Sequence, residues 1–259
     1  MEVKDRIIVA LDVDSLDKAK SLVESLASYV GCFKIGLELL TAVGAPKVVK
    51  FVHSLGGQVF VDGKFNDIPN TVAGVSKVVA KMGVKMFNVH CLGGSAMMKA
   101  AKHAVEEVCG NEKRPVILGV TLLTSLDHKD LAEMGIYDEL NIADPEEKKQ
   151  IEQDRIERLA VRHLAWLAQE CGLDGVIASP KEIEAIRNYC QPGFLVVTPG
   201  VRPLWAAAGD QKRTMTPAEA VKAGATALVI GRPITKPPAE IGTPADAAKK
   251  IAEEISSVL

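Results

Sequence analysis

Gln58-Val59-Phe60-Val61-Asp62-Gly63-Lys64-Phe65-Asn66-Asp67-Ile68-Pro69-Asn70-Thr71 carries, in one stretch, the pattern on which the architecture rests. A short β-branched and aromatic run, 58–61, ends abruptly in charge. Pro69 then suits the first position of a helix, where its missing N–H costs nothing. The apolar period of a helix follows over Val72–Met82. The unit is therefore strand, polar turn, helix. The same unit recurs outward in both directions. Before it come Ile7–Leu11, closed by Asp12, and Cys32-Phe33, closed by Lys34. After it come Met86–Val89, closed by His90, and Val116–Val120, followed by Thr121 and Thr124. The last three runs are Gly175–Ala178, closed by Ser179, Phe194–Val197, followed by Thr198-Pro199-Gly200, and Ala227–Ile230, closed by Gly231-Arg232. Amphipathic segments lie between them. Leu16–Leu26 presents Leu16, Ala19, Leu22, Val23 and Leu26 on one stripe, and Ile151–Leu167 presents Ile151, Ile156, Leu159, Leu164 and Leu167. The charged residues of the latter segment, among them Glu152, Arg155 and Arg158, are expected on a solvated face. Tyr137–Lys149, rich in Asp, Glu and Lys, is expected to be a polar extension after the fifth strand.

Eight strand–helix units in roughly 250 residues predict a (β/α)8 TIM barrel, with the whole of 1–259 as one domain. Composition agrees. Of the 259 residues 47% are hydrophobic but only 4% aromatic, so the core is small and aliphatic, as helices over a parallel sheet require. The 25% charged fraction is balanced, 31 basic against 33 acidic residues, for a net charge of −2. No global basic field is present to hold nucleic acid or an anionic membrane. No apolar run approaches the roughly 20 residues of a membrane span. Charges interrupt the first six residues, so no signal-peptide core is expected there. The five cysteines, 32, 91, 109, 171 and 190, are odd in number and form no Cys-x-x-Cys. They read as reduced, mostly buried thiols of a cytoplasmic protein.

Barrel enzymes carry their chemistry where strands end. A polar residue closing a strand is ordinarily a turn former or helix cap. Lys34, Lys64 and Arg232 are not capping residues, and cations converging with carboxylates on one rim need another reason. Asp62 and Lys64 are two apart, so on an extended chain they face one side. Carboxylates around Lys64 would keep it protonated, a ready general acid. A surface ion pair beside a helix cap would account for the same pattern. Gly63 should point the other way, toward the helix layer, and its missing side chain should remove packing there. His90 has no second His or Cys at ligand spacing, so it reads as a rim or core histidine and no metal is expected. His53, His103, His128 and His163 read as surface residues.

Asp62-x-Lys64-x-x-Asp67-Ile68-Pro69-Asn70-Thr71 resembles the signature of the orotidine 5′-phosphate decarboxylase family. The likeness extends over nearly the whole chain. It includes Asp12, Phe33-Lys34-Ile35-Gly36, Leu123-Thr124-Ser125, Thr198–Pro203, Asp210-Gln211-Lys212-Arg213 and Val229–Thr235. Gly63 and Asn66 depart from it, standing where the family usually carries Leu and frequently His. The resemblance implies cofactor-free conversion of orotidine 5′-monophosphate to uridine 5′-monophosphate and carbon dioxide. Asp62 would face the departing carboxylate, and Lys64 would protonate C6. Lys34 would hold Asp62 ionised and contact the ribose, and Asp12 would accept from a ribose hydroxyl. Thr124 would bind the pyrimidine edge. Gln211, on a closing loop spanning Val201–Thr214, would bridge pyrimidine and phosphate. Gly231, Arg232 and Arg202 would take the phosphate. The resemblance further implies a homodimer in which Asp67, with Thr71, serves the neighbouring subunit's site, and it counts Ile68 among the substrate-binding residues. Two rival readings stand beside it. One is the sibling group's metal-dependent decarboxylase or aldolase acting on sugar phosphates, which would use carboxylates such as Asp12 and Asp62. The other is a barrel that binds nucleotide without chemistry.

Overall fold

Eight parallel strands close on themselves in chain order, each bonded to the next and the eighth to the first, in a computed structural model describing residues 1–110, 114–138, 140–206 and 215–259. The strands are β1 (Ile7–Ala10), β2 (Cys32–Ile35), β3 (Val59–Phe65), β4 (Met86–His90), β5 (Val116–Val120), β6 (Gly175–Ile177), β7 (Leu195–Pro199) and β8 (Ala227–Ile230). The expected (β/α)8 barrel is the observed fold. Two strands run further than their apolar letters suggest. β2 passes through Lys34 to Ile35, and β3 passes through Asp62, Gly63 and Lys64 to Phe65. Ladder hydrogen bonds are made by the backbone, so a charged side chain at the rim does not stop a strand whose neighbours still pair.

Side chains alternate between two apolar layers, as period-two geometry requires. Ile8, Cys32, Phe60, Met86, Leu118 and Val197 belong to the cluster that fills the barrel. Burial there pushes the Cys32 thiol up to about 12. Ile7, Val9, Phe33, Val61, Phe87 and Val176 pack outward against the helices. All five cysteines are free, four of them buried and Cys109 half-buried.

The helices begin where the sequence supplies caps. α1 (Leu16–Leu26) starts at Ser15, whose hydroxyl accepts from the Lys18 N–H. α2 (Leu37–Val43) and α3 (Ala45–Ser54) follow β2, α4 (Pro69–Lys81) opens on the expected proline, and α5 (Gly94–Cys109) follows β4. α6 (His128–Glu133) has a reciprocal capping box between Asp127 and Asp130. The 137–149 segment is polar, as expected, and partly helical. Its second half already forms α7 (Pro145–Glu157), capped by Asp144, which runs through a π-helical stretch, Arg158–Ala165, into α8 (Trp166–Glu170). Helix propensity of Glu and Lys, with a cap and Pro at the start, outweighs the lack of an apolar stripe there.

That helix also corrects two surface assignments. His128 is buried and stacks on Tyr137, with ring centroids 5.8 Å apart. Arg155 lies over the Tyr137 ring, contacts His128 Nε2 at 3.1 Å and donates to the Asp138 carbonyl. Arg155 thus ties the segment after β5 to α7 instead of simply facing solvent. The remaining helices are α9 (Ile183–Tyr189), α10 (Pro217–Lys222), α11 (Arg232–Thr235) and α12 (Pro244–Ser256). Among the described residues, no helix is long and apolar enough to cross a membrane.

The two ends of the barrel use charge differently. At the strand N-termini, Arg114 grips Asp174 through both terminal guanidinium nitrogens, and Asp174 also accepts from the Ile117 N–H. Arg187 donates to the Phe194 and Gly224 carbonyls and to Thr226 Oγ1. These groups are spent on holding strands together. The charges at the opposite end are arranged around a cavity.

Candidate active site

A cavity of roughly 290 Å3 opens at the C-terminal mouth of the barrel, at the lower edge of small-molecule sites. Its floor is apolar, from Ala10, Phe60, Val120, Ile177 and Val229, and its walls carry the charge.

Four side chains alternate in sign along one wall. Lys34 Nζ lies 3.2 Å from Asp12 Oδ1 and 3.3 Å from Asp62 Oδ2. Lys64 Nζ donates to the other oxygen of Asp62 at 2.7 Å. The Asp62 side chain is only 10% exposed, against 63% for Asp12. Burial alone would push the Asp62 carboxyl up. Lys34, Lys64 and a hydrogen bond from Asn88 outweigh that effect and hold it below the ordinary carboxylate range. Gly36 leaves room for this array, since a Cβ there would lie 3.0 Å from Lys34 Nζ.

The placing of Lys64 is not that of a regular strand. The register of β3 against β4 runs Phe60–Met86 and Val61–Phe87, then resumes at Phe65–Val89. Three residues of β3 therefore face the single residue Asn88. Lys64 takes a left-handed backbone, φ +46°, which costs a residue with a Cβ about 1–2 kcal/mol. Asp62 and Lys64 meet because the strand bulges, not because an extended chain alternates. Gly63 does face the helix layer, but packing is not lost there. The Phe65 ring occupies the space, and a Cβ on Gly63 would come within 2.6 Å of it.

Asn88 was not evident as a site residue. It is fully buried, accepts from the Lys64 backbone N–H at 2.7 Å and donates to Asp62 Oδ1 at 2.7 Å. The sequence does hold a signal for it, a lone amide inside the apolar run 86–89. His90 closes β4 as expected of a rim histidine. Its Nδ1 accepts from the Leu92 N–H, and burial, then Lys64, lower its pKa.

Across the cavity stand Thr124, Arg202, Gly231 and Arg232. Burial and the neighbouring Arg232 both pull the Arg202 pKa down, as expected of two like charges sharing a wall. A Cβ at Gly231 would project to within 3.6 Å of Ala10 and Asp12. Its absence opens the end of β8 to close approach. The structure thus brings together Asp12, Lys34, Asp62, Lys64, Thr124, Arg202, Gly231 and Arg232. It does not bring in Asp67, Ile68 or Thr71, which are exposed and line no part of this cavity. The Asp67 carboxylate accepts from the next residue's N–H at 2.7 Å, and Ile68 is 67% exposed. Gln211, with most of the expected closing loop, lies outside the described residues.

Among the described residues, no three His, Cys, Asp or Glu side chains gather at metal-holding distances. Asp12 and Asp62 already share the Lys34 ammonium.

An alternating-charge wall facing paired arginines, at the strand C-termini, defines a (β/α)8-barrel protein with a small-molecule site at its mouth. The family model described as "Orotidine 5'-phosphate decarboxylase / HUMPS family" matches residues 5–251. The chain belongs to that family. It is 50% identical to the orotidine 5′-phosphate decarboxylase of Moorella thermoacetica, over 100% of this chain and 95% of the relative. It is 48% identical to that of Trichlorobacter lovleyi, over 98% and 96%. Among solved structures, the orotidine 5′-phosphate decarboxylase of Lactobacillus acidophilus superposes with a TM-score of 0.76 at 32% identity, covering 96% of this chain and 98% of its own.

Proposed function

We propose that this chain decarboxylates orotidine 5′-monophosphate to uridine 5′-monophosphate, a step of pyrimidine biosynthesis, without metal or cofactor. The observation that carries the reading is the Asp12–Lys34–Asp62–Lys64 array. Its central carboxylate is buried yet held ionised, and its last ammonium faces the cavity.

The chemistry follows from that array. Asp62 would lie against the substrate carboxylate, where like charge disfavours the bound reactant. The C6–carboxylate bond breaks with its electron pair left on C6. The Lys64 ammonium stabilises that developing carbanion and transfers a proton to C6 as carbon dioxide leaves. Solvent then reprotonates Lys64. Lys34 keeps Asp62 ionised and, with Asp12, meets the ribose hydroxyls. Thr124 holds the pyrimidine edge. Gly231, Arg232 and Arg202 take the phosphate, the guanidinium being suited to two-point contact. Gln211 would join pyrimidine to phosphate. Binding energy from a phosphate remote from C6 can be used to lower the barrier at C6.

The active unit in this reading is a homodimer. Asp67 and Thr71 are exposed and line no part of their own cavity, and Leu37, Ile68 and Leu92, which follow the adjacent strands β2, β3 and β4, are all exposed. Exposed apolar groups around a mouth suit contact with a second copy. Asp67, Ile68 and Thr71 would then complete the partner's site.

Family membership leaves a metal-dependent sugar-phosphate activity as the rival. The Lys34 ammonium standing between Asp12 and Asp62 supports the metal-free reading, because a cation there is already supplied by the chain. The test is turnover of orotidine 5′-monophosphate by Asp62→Ala and Lys64→Ala variants. Each should lose at least about a thousandfold in kcat while keeping the parent's circular dichroism. Near-parental turnover in either variant would overturn the mechanism.

A further inference from the structure

The bulge in β3 leaves an unusual demand on β4. Asp62, Gly63 and Lys64 stand opposite one residue, so the regular ladder cannot satisfy the Lys64 N–H. Asn88 meets that demand with its side chain. Its Oδ1 accepts the Lys64 N–H at 2.7 Å, and its Nδ2 donates to Asp62 Oδ1 at 2.7 Å. The same Asp62 oxygen accepts from Lys64 Nζ, which leaves Oδ2 for Lys34. One buried amide therefore fixes the backbone of one residue of the proposed catalytic pair and the carboxylate plane of the other. Asn88 has no exposed surface and does not line the cavity, so substrate cannot touch it.

We propose that Asn88 is the positioning residue of this site, holding the left-handed turn at Lys64 and the orientation of Asp62 from behind. The inference rests on the decarboxylase reading above. An amide suits the position because only a group with one donor and one acceptor answers both neighbours. A valine or leucine, the ordinary choice between Phe87 and Val89, would leave a buried N–H and a carboxylate lone pair unmet.

The experiment compares the parent with Asn88→Ala and the same-shaped Asn88→Asp. It measures kcat and KM for orotidine 5′-monophosphate across pH, affinity for uridine 5′-monophosphate, and melting temperature. In Asn88→Ala, kcat should fall about 10- to 100-fold, with KM and product affinity within about twofold of the parent. Asn88→Asp should show a distinctive pH profile. Among the described residues, the ionisable groups bonded to position 88 are Asp62 and Lys64 on β3, with Lys34 of β2 beyond Asp62 and His90 two residues along β4, while the β5 neighbour is uncharged Leu118. The lysines keep Asp62 ionised, so a proton taken up on acidification goes to residue 88. The protonated acid then presents a donor to Asp62 and an acceptor to Lys64, as the amide does. Its kcat should rise relative to Asn88→Ala as pH falls, a response that loss of packing alone would not give. An Asn88→Ala kcat within twofold of the parent, or a loss carried by KM, would overturn the proposal. So would an Asn88→Asp variant, folded, whose kcat stays at or below that of Asn88→Ala at every pH. If Asn88→Ala does not fold, the Asp variant alone decides. Parent turnover is measured first, so an inactive parent counts against the decarboxylase reading and not against Asn88.

Discussion

Lys64 is the residue at which backbone and chemistry meet. Its ammonium reaches Asp62 only because its backbone enters the left-handed region, and a side chain there carries a steric cost that glycine avoids. Lys64→Ala and Lys64→Gly both delete the ammonium, yet they should differ in stability. The glycine variant is expected to be more stable by about 1 kcal/mol, or roughly 2–4 °C in melting temperature for a chain of this length. Equal melting temperatures would mean that the turn holds no strain. Asp62 shows the complementary balance. Burial works against its charge, and Lys34, Lys64 and Asn88 together outweigh it, so its pKa lies below the ordinary carboxylate range. Its contribution to stability is accordingly present above the unfolded-state pKa and lost only as pH falls through the lowered folded value.

The end of β3 is the element on which the site depends, and its outer face is as particular as its inner one. Gly63 and Phe65 share one space: the glycine lacks a side chain and the ring fills the place. Gly63→Leu should therefore destabilise the protein by about 1–3 kcal/mol through displacement of that ring. Gly63→Leu combined with Phe65→Ala should lose less than the sum of the two single changes, as contacting residues do. Additive losses by thermal unfolding would show that the ring does not occupy that space. This segment also marks the limit of what a sequence discloses. The apolar runs placed every strand, because burial against helices imposes a pattern that letters reveal. They did not reveal that β2 and β3 continue through charged residues, since backbone pairing is blind to side-chain polarity. Asp62, Lys64 and Lys34 were legible as rim charges. The bulge was not, because it arises from register against β4, and so Asn88 across the gap went unnoticed. The buried His128 was missed for the same kind of reason. Its partners, Tyr137 and Arg155, approach it only after α6 and α7 have packed.

Across the whole molecule, charge at the bottom of the barrel is paired for cohesion and charge at the top converges on a cavity. One segment belongs to neither arrangement. Residues 66–71 are exposed and line no part of the cavity. If Asp67 serves a partner's site, Lys64→Ala and Asp67→Ala homodimers should both be nearly inactive. After subunit exchange between equal amounts, about half the dimers are mixed, and each has one site carrying both changes and one carrying neither. About a quarter of all sites should regain parental turnover. No recovery after verified exchange would place Asp67 in its own chain's site or deny this dimer. The proposed chemistry, whichever chain supplies Asp67, needs no added ion to release carbon dioxide from a nucleotide. Its most direct measurement is the loss of orotidine 5′-monophosphate absorbance catalysed by the unmodified protein, before and after exhaustive treatment with chelator. Turnover at an undiminished rate is expected. No turnover, or turnover that disappears with chelator and returns with magnesium, would contradict it.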